Sequence, residues 1–296
     1  MGRNTECESG RFRDTKVTDG DHLLASATRQ AVPRTPLRTV LRTEDGVAVE
    51  AAYTPYEGPE PGPRAADAPV PVIVVAHGFS GALDRPALRR AADTFARHAA
   101  VVTFSFRGHG RSGGRSTVGD REVLDLAAAV GWARRLGHGS VATVGFSMGG
   151  SVTLRHAALC EDADARTDAV VAVSAPARWY YRGTAPMRRL HWVVQRPVGR
   201  LVSRWGLRTR VHTRGWDTVP LSPTEAAPRI APTPLLVVHG DRDAYFPLDH
   251  PLGLVRAADP RCTELWVERG FGHAENAAPA ALLERVGRWA TRALAP

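Results

Sequence analysis

Along most of the chain, short apolar runs alternate with stretches in which apolar positions recur every three or four residues. The runs at residues 70–76, 100–105, 141–146, 169–174 and 234–239 are almost continuously apolar, as strands covered on both faces of a parallel sheet must be. Between them, helical periodicity predicts helices from Pro86 to about residue 98, and over 120–136, 147–159 and 248–258. Pro86 stands where a first helical turn accepts proline, and Gly137 stands where a helix stops. A strand at 263–268 and a helix at 279–294 close the sequence. Ahead of the first apolar run, 37–43 and 47–53 flank Glu44-Asp45-Gly46, a hairpin turn, and a Pro/Gly-rich loop follows over 55–69. The alternation predicts the α/β class, with a doubly wound, mostly parallel sheet.

Two segments depart from this rhythm. Residues 1–35 are polar and aperiodic, which predicts a loosely ordered leader. Residues 177–230 interrupt the alternation and are too many for a structureless loop in a compact domain. Within them Leu190, Val193, Val194, Val198, Leu201, Val202 and Trp205 recur at helical spacing, with Arg188, Arg189, Arg196, Arg200 and Arg204 largely on the other face. Pro197 should divide the stretch into two short helices. The expected organisation is therefore a core formed by 36–176 and 231–296, carrying a helical lid at 177–230. Four of the seven tryptophans (Trp179, Trp192, Trp205 and Trp216) lie in that lid.

Charge sharpens the contrast between the two parts. The 296 residues carry a formal charge of +9, and Lys16 is the only lysine, so arginine supplies almost all of the positive charge. The 177–230 segment holds eleven arginines against only Asp217 and Glu225, a net charge equal to that of the whole chain. Such a local excess suits an anionic or lipid-like substrate, or peripheral contact with a membrane; the alternative is arginine replacing lysine on a solvated face. No nucleic-acid recognition motif accompanies the charge, so a nucleic-acid partner is not expected. The N-terminus lacks an apolar signal segment, and no apolar run reaches the roughly 20 residues that a membrane span needs. Cys7, Cys160 and Cys262 form neither a disulfide framework nor a zinc pattern. A cytoplasmic enzyme without metal or cofactor is expected.

The chemistry centres on Gly145-Phe146-Ser147-Met148-Gly149, which joins a β-branched run to an Ala/Leu-rich helical one. Strand, sharp turn and helix are the setting in which Gly-x-Ser-x-Gly becomes a nucleophile elbow. A serine hydroxyl needs a base, and the base needs an orienting acid. His273, in Gly272-His273 after the last strand, is the candidate base; Asp243, or less favourably Asp241, in His239-Gly240-Asp241-Arg242-Asp243 is the candidate acid. Loops at the carboxyl ends of parallel strands share one rim of the sheet, so these residues can converge.

Five landmarks in this order resemble the α/β-hydrolase superfamily over residues 37–294. They are His77-Gly78-Phe79, the loop from Arg107 to Ser112, the elbow, the acid loop and the histidine loop. The resemblance implies Ser147 as nucleophile, His273 as general base and acid, and Asp243 as the acid, with the backbone N–H groups of Phe79 and Met148 as the oxyanion hole. His77, Arg107 and His109 are expected to shape loops rather than react. Trp179, Trp192 and Trp205 are candidates to bind substrate under the apolar face of the lid. The implied function is a serine hydrolase cleaving a carboxylic ester or thioester of a small-molecule acyl substrate through an acyl-enzyme. An acyltransferase or peptidase using the same three residues, or a hydrolase-fold protein that binds a ligand without turnover, are the alternatives.

Overall fold

A computed structural model of the protein describes residues 36–59 and 70–295. The leader expected at 1–35 and most of the loop expected at 55–69 lie outside these residues. A single eight-stranded sheet runs in the order β1-β2-β4-β3-β5-β6-β7-β8. Strands β1 (Leu37–Arg42) and β2 (Ala48–Thr54) form an antiparallel hairpin, and β2 also runs antiparallel to β4 (Ala100–Phe104). Every other pairing is parallel, through β3 (Val72–Ala76), β5 (Val141–Phe146), β6 (Ala169–Val173), β7 (Leu235–Gly240) and β8 (Thr263–Glu268). Gly46, at φ 79°, turns the hairpin.

Side chains alternate across the central strands, and each face receives its own helices. Ile73, Val75, Val144 and Val238 point to one face, where α1 (Pro86–Phe95) and α8 (Ala280–Ala293) supply Leu88, Phe95, Leu283 and Trp289. Val72, Val74 and Val102 point to the other, against Leu126 and Val130 of α2 (Glu122–Arg135) and Val152 of α3 (Met148–Leu159). Farther along that face, Val170 and Val237 meet Leu154 of α3 and Leu254 of α7 (Asp249–Ala257). Burial on both faces is what the unbroken apolar runs required.

Between β6 and β7 the chain forms α4 (Ala185–Gln195) and α5 (Pro197–Trp205), divided at Pro197, and then a short α6 (Pro223–Ala226). Ser222 and Glu225 close a capping box at the start of α6. Residues after α5 dock on the loop that follows β4: Arg210 N–H donates to Gly108 O and Ser116 N–H to Arg210 O, each at 2.7 Å. A Cβ on Gly108 would lie 2.4 Å from Arg210 O, and its φ is 77°, so this position requires glycine.

The loop after β4 is itself fixed by a buried ion cluster. Arg107 donates to Asp125 Oδ1 of α2 through Nε (2.9 Å) and Nη2 (2.8 Å), and to Asp45 of the hairpin turn through Nη1 (2.7 Å) and Nη2 (3.0 Å). One guanidinium thus joins hairpin, loop and helix with no water between them. Replacing Arg107 with alanine leaves Asp125, whose side chain is fully buried, without its counter-charge. The expected loss is about 3–5 kcal/mol of stability, read as a lower midpoint in urea unfolding.

Candidate active site

Strand β5 ends at the elbow, where α3 turns back over the sheet so closely that side chains are excluded. A Cβ on Gly145 would lie 2.2 Å from Gly149 O, and one on Gly149 would lie 2.3 Å from Ala76 O. Ser147 between them adopts φ 52° and ψ −113°, outside the regions that residues with a Cβ ordinarily occupy. Its N–H donates to Val173 O (2.8 Å) and its carbonyl accepts from Ser151 N–H (3.1 Å), so the backbone is held on both sides.

The carboxyl ends of β7 and β8 bring the other two groups to this point. His273 Nε2 lies 2.9 Å from Ser147 Oγ, and His273 Nδ1 lies 2.7 Å from Asp243 Oδ2. With Nδ1–H donating to the carboxylate, Nε2 is left to accept from the serine hydroxyl. Asp243 Oδ1 accepts from the N–H groups of Tyr245 (2.8 Å) and Phe246 (3.1 Å). Burial acts to raise the Asp243 pKa, but the hydrogen bond and charge of His273 and these two N–H groups outweigh it and hold the carboxyl below its ordinary range. The Tyr245 ring stacks on the imidazole, with centroids 4.2 Å apart and planes 26° apart. Asp241 is exposed and turns elsewhere, accepting from Gly270 N–H at 2.6 Å. Asp243 alone of the two meets the histidine.

His77-Gly78-Phe79 crosses beside the serine: a Cβ on Gly78 would lie 3.5 Å from Ser147 Cβ. This loop is fastened from three directions. His77 Nε2 accepts from Phe106 N–H at 3.0 Å, and its Nδ1–H donates to Gly78 O at 2.6 Å. Burial, reinforced by His109, drives the His77 pKa well down, so the ring is neutral, as that pair of bonds requires. Gly78 N–H donates to Glu275 Oε1 at 3.0 Å, and Phe79 O lies 2.5 Å from His109 Nε2. Among the described residues, no hydrogen bond within the chain engages the N–H of Phe79 or of Met148. Both donors are therefore free of partners among the described residues, that of Met148 at the N-terminus of α3.

Glu275 had no sequence signal, because its partner lies 197 residues away. Its carboxyl is buried, Oε2 has no hydrogen-bond partner, and desolvation raises its pKa. His77, Arg107 and His109 shape loops, as expected of them.

A cavity of about 1180 Å³ opens above Ser147 and Met148, beneath the segment between β6 and β7. Trp179 lines it, with its Nε1–H donating to Pro220 O (2.7 Å) and its ring 5.3 Å from that of Trp216. Met187, Leu190 and Val194 of α4 line it as well. Trp192 and Trp205, candidates to bind substrate, do not line this cavity; they are 47% and 75% exposed. For Trp205 the reason is that α5 packs through its small residues, Gly199 and Ser203, and turns its large apolar ones away from the cavity; Trp192 lies on α4, off the face that presents Met187, Leu190 and Val194. Among the described residues, seven arginines but only Asp45, Asp120 and Asp217 among carboxylates line the cavity, so these walls carry excess positive charge.

A sequence profile for the alpha/beta hydrolase fold matches residues 71–193. Among curated proteins, none matches the sequence at a significant level. Solved structures similar to the chain include the Pyrococcus furiosus esterase Pf2001, with TM-score 0.67 and 22% identity over 88% of this chain and 94% of that one. They also include the alpha/beta hydrolase GrgF from Penicillium sp. sh18, with TM-score 0.64 and 19% identity over 88% and 99% of the two chains. A third is XC6422 from Xanthomonas campestris, described as an a/b serine hydrolase without lid, with TM-score 0.59 and 20% identity over 90% and 97%. Residues 71–193 thus match the alpha/beta hydrolase profile, and the chain has the fold of these structures.

Proposed function

We propose that the protein is a serine hydrolase that cleaves a carboxylic ester or thioester. The observation that carries this reading is the hydrogen-bonded chain Ser147–His273–Asp243, whose serine lines the cavity. Ser147 Oγ attacks the acyl carbonyl while His273 Nε2 takes its proton, and Asp243 stabilises the resulting imidazolium through Nδ1–H. The carbonyl oxygen, now negative, is received by the N–H groups of Phe79 and Met148, a role supported by their having no partner among the described residues. The imidazolium then protonates the departing alcohol or thiol, leaving an acyl-enzyme. Water, deprotonated by the same Nε2, attacks this ester, and collapse of the second tetrahedral adduct releases the acid and restores Ser147. The named esterase among similar folds agrees with this chemistry.

In this reading, residues 177–230 act as a lid. Leu190 and Val194 meet the apolar part of the acyl group, and the arginine-rich wall favours a substrate with an anionic end. Glu275 positions the oxyanion loop through Gly78 rather than touching substrate.

Fluorophosphonate should label the wild-type protein, and Ser147→Ala should abolish both labelling and ester turnover. Absence of labelling in the wild type would favour a ligand-binding protein without turnover. Asp243→Asn should lower kcat by about 10⁴-fold, with the fold intact by circular dichroism.

Glu275 generates a prediction about stability. Its folded pKa is raised, so the folded carboxyl keeps its proton to a higher pH than the unfolded one. Ionising it in place costs stability as pH rises through that window. Glu275→Gln, which keeps an acceptor for Gly78, should melt higher than wild type at pH 8. The difference should vanish below about pH 4, where the carboxyl is protonated in both states.

A further inference from the structure

Helix α5 is built inside out. Its buried residues are Gly199 and Ser203, and a Cβ on Gly199 would lie 2.4 Å from Trp192 O and 2.7 Å from Val193 Cα. Ser203 Oγ–H donates to Thr209 O at 3.0 Å, so the attached face is small and polar. The opposite face carries Val198, Leu201, Val202 and Trp205, exposed by 61%, 56%, 48% and 75%. Positions i, i+3, i+4 and i+7 form one apolar stripe, and no described residue covers it. A helix whose stripe served the core would show the reverse.

Beside that stripe lies a crevice of about 310 Å³, lined by Arg115, Arg200, Arg204 and Arg210 together with Pro197 and Leu201. Among the described residues, no Asp or Glu lines it. The whole stretch from 178 to 216 contains ten arginines and no carboxylate. A second copy of the chain would therefore bring guanidinium against guanidinium. An anionic bilayer supplies both missing complements, acyl chains for the stripe and phosphates for the crevice.

We infer that α5 is an interfacial helix: Val198, Leu201, Val202 and Trp205 enter an anionic lipid surface while the arginine crevice holds lipid phosphates. Arg115 and Arg200 line both the crevice and the cavity above Ser147, so docking brings the cavity up to the lipid. The inference goes beyond the proposed hydrolysis, since binding is measurable on a protein that turns nothing over.

The test is co-sedimentation of the full chain with phosphatidylcholine vesicles, with and without phosphatidylglycerol. Ser147→Ala is used throughout, so a failed hydrolase reading leaves the result untouched. Binding should need phosphatidylglycerol and weaken as salt is added. Arg204→Glu should weaken it by about fivefold or more, and Leu201→Ser with Trp205→Ser by at least about tenfold. Brominated phosphatidylglycerol should quench tryptophan emission, and Trp205→Phe should remove that component. Melting temperatures of the variants should match that of the parent, because none of these side chains is buried. No sedimentation with anionic vesicles, equal binding to neutral ones, or unchanged binding by the Leu201/Trp205 variant would overturn the inference. So would a concentration-dependent dimer that the same variant dissociates.

Discussion

The structure depends on one close approach. Where β5 gives way to α3, backbone meets backbone at distances that leave no room for a Cβ at positions 145 and 149. The residue between them is forced into a conformation that costs of order 1–3 kcal/mol and persists only because its surroundings over-determine it. The surroundings here are Val173 O, which accepts from Ser147 N–H, the first turn of α3, and the end of β3, paired in register with the elbow strand. The return is positional. A hydroxyl is lifted clear of the sheet, beside an unengaged N–H at a helix N-terminus and within reach of loops from three other strands.

Each of those loops is fastened to another. Phe79 and its neighbours are tied to Phe106, His109 and Glu275, and Arg107 secures the 107–116 loop to the hairpin and to α2. Thr184 Oγ1–H donates to Tyr245 O (2.9 Å), joining the segment after β6 to the acid loop. Among the polar atoms not spent on this fastening are the N–H groups of Phe79 and Met148, which the proposed mechanism uses. Preorganisation of this kind is where most of an enzyme's electrostatic advantage resides.

The sheet and its helices were legible because burial on both faces leaves an unbroken apolar signature, and because glycine at a strand-to-helix junction has few other reasons to occur. The choice between Asp241 and Asp243 was not settled by local pattern, since two acids in one tight loop look alike. What separates them is tertiary: the N–H groups of Tyr245 and Phe246 turn Asp243 inward, while Gly270 draws Asp241 outward. Glu275 was illegible for a related reason, its partner being fixed only by the fold. The direction of α5 was misjudged because periodicity reveals that a helix has two faces and not which one is attached. Gly199 and Ser203, small and one turn apart, were the overlooked cue: small residues permit close contact, and close contact had already chosen the face.

The stacking of Tyr245 on His273 has a mechanical meaning. An aromatic plate lying against an imidazole resists tilting of the ring out of its plane, yet opposes sliding within that plane only weakly. Under the proposed chemistry, Nε2 must first face a serine oxygen and then a leaving group or water displaced to one side of it. Under that chemistry, an imidazole displaced along the face of the plate stays stacked while Nδ1 remains on the side of Asp243.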